Sequence, residues 1–364
     1  MCEKCFLVQL EAFEPPQTHF GEDYAYFSSY SDSWLEHARR YVSMAIERFA
    51  LGAASQVIEI ASNDGYLLQY FVQAKIPALG IEPSQNVAAA ARAKGVETRC
   101  EFFGRDAARR LAAAGRRADL LLGNNVLAHV PDLDDFVGGL QIALKPGGTV
   151  TMEFPHLLCL MRENQFDTIY HEHFSYFSFL TAKAVFAANG LRLYDVERLA
   201  THGGSLRIYA CHSGDSSKKN SAAVDALVAE ERKAGLDSIA AYRRFAEQVK
   251  ETRRRLRELL LPLKAAGKTI AGYGAPAKGN TLLNYCGVGT DIVDYTVDRS
   301  PQKQGRLLPG TRIPVHAPSH IFETKPDYVL ILPWNLKEEI MQQMGGIAAW
   351  GGRFIVPIPV PAIV

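Results

Sequence analysis

The sequence predicts an α/β protein built from two doubly wound, Rossmann-like domains in series behind a short N-terminal segment. Three observations predict it. Strand-like and helix-like patterns alternate twice over, each series opens with a strand and a glycine-bearing turn, and 364 residues exceed the usual reach of one hydrophobic core.

The N-terminal "MCEKCFLVQL" lacks the basic-then-apolar layout of a signal peptide. No apolar run approaches the roughly 18 residues that span a bilayer. A cytoplasmic protein with no membrane partner is expected. Lys plus Arg number 40 and Asp plus Glu 39, and the formal net charge of +1 argues against the broad basic field of a nucleic-acid binder. A small-molecule partner is expected instead. Six cysteines are too sparse for a disulfide scaffold, so reduced thiols are expected. Cys2 and Cys5, three apart, supply half of a tetrahedral zinc site, and the other four read as small core residues.

In "QVIEIASNDGYLLQYF" a buried strand, Val57 to Ile60, runs into a polar glycine turn and a helix start, and "IPALGIEPS" repeats the strand signal. That is a βαβ unit. Strands follow at "ADLLLGNNV" and "GGTVTMEF", separated by the helical stretches "NVAAAARAKG" and "DDFVGGLQIAL". After "HGGSLRIYACHSGDSSKKNS" a polar Ser- and Lys-rich stretch marks a boundary near Ser216, and a charged helical pattern runs from Ala222 to Leu263. The second series is strand "TIAGYGA", helix "KGNTLLNYC", strand "IVDYTVD", then "DYVLILP" and "GRFIVPIP". Residues 1–28, 29–215 and 216–364 are the expected divisions.

Open α/β sheets bind ligands at the carboxyl ends of their strands. The turn "EIASNDG", Glu59 with Ser62, Asn63, Asp64 and Gly65, lies at such an end. Glu82 closes the next strand, where an acid takes both hydroxyls of a ribose. The turn has no further glycines and no Lys-Ser/Thr pair, so a pyrophosphate fits poorly. An adenosine carrying a charged amino-acid tail fits better: Asn63 and Asp64 receive an ammonium, and Phe102 or Phe103 sandwiches the adenine. Those features describe S-adenosylmethionine. In the blander reading Glu82 caps a strand and the Phe pair is core.

"DTIYHEHFSYFS" gathers histidines, a glutamate and tyrosines. Methyl transfer to a carbon beside a ketone needs removal of an α-proton and stabilisation of the developing enolate oxygen. Histidine suits the base, a carboxylate orients it, and a tyrosine hydroxyl donates to the oxygen. His171 and His173 alternate in direction if the run is extended, so one of them faces the substrate. A polar loop with packed aromatics, or a His-x-His metal pair, are the alternatives. In "ATHGGSLRIY" the double glycine leaves His202, Ser205 and Arg207 where they approach a ligand, although a tight hairpin uses the same glycines.

"AGYGAPAKGN" resembles the Gly-x-Gly-x-x-Ala dinucleotide fingerprint, with Asp298 ending the next strand. Alone it suggests NAD and an oxidoreductase. Pro276 intrudes at the helix start, and Lys278 and Asn280 point to a phosphate-bearing ligand.

"VIEIASNDGYLL", "GIEPS", "NNVLAHVPDLDDFV", "YHEHFSYFS", "THGGSLR" and "GYGAPAKGN" together resemble the ordered motifs of C-methyltransferases that act on nucleotide-linked 4-keto deoxysugars. The resemblance covers nearly the whole chain and implies three parts: a zinc-binding module, an S-adenosylmethionine domain and a C-terminal α/β domain that holds the nucleotide sugar. "CEKC" matches the second of the module's two Cys-x-x-Cys pairs, so zinc is expected only where the full module is present. Ala61 stands where generic methyltransferases have glycine. The resemblance implies His173 as the base with Tyr170 and Glu172 beside it, Tyr24 as an active-site tyrosine, and Tyr26 and Ser28 in the same pocket. His171, His202, Ser205 and Arg207 would approach the sugar. Asn124 and Asn125 would join the cofactor turn, while Ala277, Lys278, Asn280 and Asp298 would hold the nucleotide diphosphate. The implied enzyme is an S-adenosylmethionine-dependent methyltransferase, expected as a monomer, that enolises a thymidine-diphosphate-type sugar and methylates the carbon next to its ketone. An NAD-binding oxidoreductase and a non-catalytic nucleotide-sugar-binding protein remain the alternatives.

Overall fold

The structure, a computed structural model, describes residues 1–11 and 27–364. Tyr24 and Tyr26 lie outside the described residues. The chain forms two compact units, one of Met1–Leu157 with His171–Asp237, the other of Leu158–Tyr170 with Ser238–Val364.

The first unit is built on a seven-stranded sheet of order β4-β3-β2-β5-β6-β9-β8. Its members are β2 (Val57–Ile60), β3 (Ala78–Ile81), β4 (Thr98–Arg99), β5 (Ala118–Asn124), β6 (Leu144–Pro155), β8 (Leu191–Leu199) and β9 (Ser205–His212). β4 to β6 run parallel, and the hairpin of β8 and β9 adds to β6 antiparallel. The parallel strands are apolar on both faces because helices cover both. Ile58, Ile60 and Leu121 pack with Phe136 and Leu140 on one side, whereas Val57, Leu120 and Leu122 pack with Tyr41 and Phe71 on the other. That is the two-residue alternation of an extended chain. β1 (Val8–Gln9) pairs with β7 (Ser175–Tyr176) in a separate two-stranded ribbon.

The division falls after Asp237, not near Ser216, and the helix Ala222–Ala234 belongs to the first unit. Val224 and Leu227 join its core. Glu231, wholly buried, accepts from His156 Nε2 at 2.7 Å and from the N–H groups of Phe179 and Leu180 at 2.7 and 2.8 Å, satisfying the open end of the helix Phe179–Ala188. The Ser- and Lys-rich stretch is a surface loop strapped down by Arg192, which donates to the Asp215 carbonyl at 2.5 Å and to Asn220 Oδ1 at 2.9 Å.

The second unit carries a six-stranded sheet of order β12-β11-β10-β13-β14-β15. Its strands are β10 (Ile270–Tyr273), β11 (Tyr295–Val297), β12 (Val315–His316), β13 (Tyr328–Ile331), β14 (Arg353–Val356) and β15 (Ala362–Ile363), all parallel except the last. The helix Ile239–Ala265 contributes Leu256 and Leu260 to its core. The excursion Leu158–Tyr170 contributes Phe166, and Asn164 of the same segment bonds Thr252. Sequence patterns predict both sheets; they do not predict this exchange of a short segment. Among the described residues no helix is long and apolar enough to cross a membrane.

Candidate active site

β2 ends at the turn Ala61–Gly65, whose backbone doubles back through left-handed conformations: φ is +55° at Ala61, +49° at Asn63 and +76° at Gly65. Ala61 thus adopts the backbone that favours glycine, which gives its departure from the generic pattern a physical meaning. Glu82, 3% exposed, accepts from the Asn63 N–H and from the Ser84 N–H, each at 2.9 Å. Burial raises its pKa while those two N–H groups pull it down.

Asp64 is buried; its Oδ2 accepts from Lys94 Nζ at 2.8 Å, while its Oδ1 and Ser62 Oγ make no hydrogen bond among the described residues. Glu59 is buried beside them. Its pKa is pushed well above the ordinary value by burial and by Glu82 and Asp64, against the pull of the Tyr66 hydroxyl. Three carboxyl groups converge here, and the turn is rich in acceptors. Such a donor and acceptor set fits a cationic ligand with hydroxyls, as S-adenosylmethionine is, and opposes a pyrophosphate.

Of the two phenylalanines, Phe103 packs edge-on against Phe136 at 5.6 Å, whereas Phe102 is 43% exposed and free to meet a ligand face. Asn124 Nδ2 donates to the Tyr66 hydroxyl at 3.3 Å. Asn125, with φ +54°, donates its N–H to the Glu153 carbonyl at 2.7 Å, and its buried Oδ1 makes no hydrogen bond among the described residues. Ser28, expected in the substrate pocket, donates its N–H to Asn63 Oδ1 at 2.8 Å and so braces the turn after β2.

The histidine run is not extended along its length: His171 and Glu172 lie in a turn, and regular strand begins at Ser175. The two histidines still differ in burial. His171 is exposed and His173 half-buried, its ring 4.8 Å from that of His129 and 6.0 Å from that of Tyr176. Phe174 N–H donates to the Ala128 carbonyl at 2.7 Å, seating the run against the turn Leu127–His129. His129 escapes a reading along the chain because a single histidine inside "NNVLAHVPDL" has no local signal. Tyr170 ends the excursion that packs with the second unit, and the chain returns to the first unit at His171.

His202, exposed and at φ +55°, sets its ring edge against Trp34 at 5.3 Å. Ser205 and Arg207, expected to approach a ligand, instead point into the fold. Ser205 Oγ donates to the Thr201 carbonyl at 3.0 Å. Arg207 is 5% exposed, donates to Glu153 at 2.9 Å and Glu197 at 3.1 Å, and covers the Tyr41 ring at 4.5 Å. Both belong to β9, where alternation and the antiparallel pairing with β6 send them inward. Buried Glu153 also accepts from His37 Nε2 and Thr201 Oγ1, each at 2.9 Å. Burial alone would raise its pKa, but the His37 bond and the Arg207 charge hold it below the ordinary value. Trp34 stacks on His37 at 4.8 Å and on Tyr66 at 5.9 Å, so this cluster reaches the end of the turn after β2.

In the second unit the glycines of the fingerprint serve packing. A Cβ at Gly272 would meet Thr296 Oγ1 at 2.7 Å, and one at Gly274 would meet Pro333 Cδ at 2.6 Å. Asp298, expected on the ligand, accepts from the Ala275 N–H at 2.7 Å and the Ser300 N–H at 2.8 Å and lies 3.5 Å from Lys303, so it closes its own loop. Asn280 accepts from Asn284 along its own helix at 3.3 Å. Ala277 is exposed at the start of that helix, Ala277–Cys286. Lys278 donates to Asn335 Oδ1, with its ammonium 4.4 Å from the Trp334 ring centre.

Cys2 and Cys5 flank a turn closed by the Phe6 N–H on the Cys2 carbonyl at 2.9 Å, and backbone hydrogen bonds at Cys5 and Lys4 hold the Cys2 thiol below its usual range. Among the described residues no group of three or more His, Cys, Asp or Glu is placed to hold a metal.

A doubly wound sheet closed by an antiparallel hairpin, with an acidic, phosphate-averse turn after its first core strand, defines an S-adenosylmethionine-dependent methyltransferase domain. A family model described as "Methyltransferase domain" matches residues 34–196, and one described as "C-methyltransferase C-terminal domain" matches 200–359. C-methyltransferase NovU of Streptomyces niveus is 38% identical over 364 residues, all of this chain and 86% of its own length. The chain belongs to this C-methyltransferase family. Solved structures similar to part of it include a DhpI–SAH complex, 19% identical over 55% of this chain and 97% of that one with a TM-score of 0.39. The PH0226 protein from Pyrococcus horikoshii OT3 is 13% identical over 53% and 100%, with a TM-score of 0.42.

Proposed function

We propose that this C-methyltransferase acts on a nucleotide-linked 4-keto deoxysugar of the thymidine-diphosphate type, removing the proton on the carbon beside the ketone so that this carbon accepts the methyl group. The contrast between the two glycine turns carries the reading. The turn of the first unit offers carboxylates and unfilled acceptors, whereas the turn of the second presents the Lys278 ammonium. One suits a cationic methyl donor, the other an anionic acceptor substrate.

S-adenosylmethionine, when bound, supplies an electrophilic methyl group on sulfur. Glu82 would hold its ribose hydroxyls, Asp64 Oδ1 and Ser62 Oγ its ammonium, and Phe102 its adenine. An imidazole nitrogen of His173 would take the α-proton, with Glu172 next in the chain to orient it and Tyr170 to donate to the ketone oxygen. His129, against the His173 ring, fixes the plane of that ring. Arg207 and Glu153 support the turn bearing His202 and leave the sugar to that exposed ring.

Calorimetry tests this reading. S-adenosylhomocysteine and thymidine diphosphate glucose should each bind, independently of one another, and NAD should not. NAD binding without either of the others would replace the proposal with the oxidoreductase alternative.

A further inference from the structure

"DTIYHEHFSYFS" opens with an aspartate that the transfer chemistry does not use. Asp167 is fully buried in the second unit, on the short turn Phe166–Thr168, which packs against the helix Ala277–Cys286. Its Oδ2 accepts from Trp334 Nε1 at 2.7 Å, and its Oδ1 makes no hydrogen bond among the described residues. The ring of the same indole carries the Lys278 ammonium, 4.4 Å from the ring centre and anchored by Asn335 Oδ1. One tryptophan thus presents its N–H edge to an acid and its ring to a base, and the two charges feel each other.

We propose that Asp167 is the resident counter-anion of Lys278: an anionic ligand group takes over that role at the ammonium, and Asp167 takes up a proton from solvent as it does so. A buried carboxylate keeps its charge only while a cation balances it. A ligand anion on Lys278 spends that balance and adds its own repulsion. Burial has already pushed Asp167 up to about 7, despite the Trp334 bond and the Lys278 charge, so the extra push falls where it moves a proton at neutral pH. The titratable groups that interact with Asp167 are Lys278, pushed down by burial to about 8, and the Cys286 thiol, pushed by burial to about 12 and so neutral. Arg253 and Arg257 of the long helix act on Cys286. Asp167 is therefore a positioning residue for an anion site. The inference rests on the nucleotide-sugar reading only for the identity of that anion.

The test is calorimetry of the full chain near pH 7 in buffers of different ionisation enthalpy. Two probes are used whose anionic groups do not titrate there: thymidine diphosphate glucose and sulfate. Wild type should take up about half a proton per ligand, with no more than about a tenth from Lys278, and binding should weaken about fourfold from about pH 6 to about pH 7.5. Asp167→Asn should bind with that uptake and that pH dependence gone. Trp334→Phe keeps the ring under Lys278 and removes the donor to Asp167, so its uptake should move to higher pH; this variant serves if Asp167→Asn does not fold. Absent uptake in wild type, or equal uptake in Asp167→Asn, overturns the exchange. Sulfate binding with uptake but no binding of the nucleotide sugar would keep the exchange and remove the nucleotide-sugar reading. Binding of neither overturns the anion site itself.

Discussion

The Glu82 carboxylate accepts the Asn63 backbone N–H at 2.9 Å, joining the end of β3 to the turn after β2 across 19 positions of chain. Its other oxygen holds the Ser84 N–H at the same distance, so a single acid braces two loops. Glu82→Ala should weaken S-adenosylhomocysteine about 100-fold or more, through loss of two charge-assisted hydrogen bonds. Titration calorimetry checks it, with the melting temperature of the unliganded variant as the control for damage to the turn. An unchanged dissociation constant would remove Glu82 from the cofactor site.

His173→Ala should bind both ligands normally and lose about 10²–10⁴ in turnover, the usual worth of a general base. The decisive assay is exchange of the sugar's α-proton with deuterated solvent in the absence of a methyl donor, which isolates proton removal. His171→Ala should exchange as wild type does, since that side chain is exposed. Exchange surviving in His173→Ala and lost in His171→Ala would reverse the assignment; survival in both would place the base elsewhere.

Lys278→Met should raise the KM for the nucleotide sugar about tenfold or more, the value of one charge-assisted contact, and leave S-adenosylhomocysteine affinity unchanged. The two turns belong to separate compact units. Equal weakening of both ligands would contradict this division.

Glu231→Ala should destabilise the first unit by about 3–5 kcal/mol, because it leaves His156 Nε2 and the N–H groups of Phe179 and Leu180 buried without their acceptor. Urea unfolding followed by near-ultraviolet circular dichroism measures it. A loss within the noise of the measurement would mean that water reaches those donors.

Asp167 gives a pH dependence of known sign. Burial raises it from an ordinary 3.8 to about 7 in the folded chain, so its contribution is fully present below the unfolded value and is lost as pH rises through the folded one. Relative to Asp167→Asn, wild type should therefore lose melting temperature as pH rises from about 4 to about 7. Parallel curves for the two proteins would show that the carboxyl titrates normally.

Much of this protein is legible in its sequence because the signals are local. The two strand-and-turn series, the acid closing β3, the polar turn after β2 and the clustered histidines each rest on a two-residue alternation, on turn chemistry or on short spacing. These are properties of neighbouring residues, and the folded chain keeps them. Tertiary structure alone decided the rest. It packed Phe103 against the core and left Phe102 exposed, because only packing distinguishes two adjacent identical rings. It assigned Arg207 to Glu153, 54 positions away, and Asp167 to Trp334, 167 positions away. It moved the unit boundary past the helix Ala222–Ala234 and routed Leu158–Tyr170 into the other unit. Contacts between residues so far apart leave no periodic trace in either segment. A buried carboxylate finds its donors only when the sheet order brings them together, and the energy that selects that order belongs to the whole core.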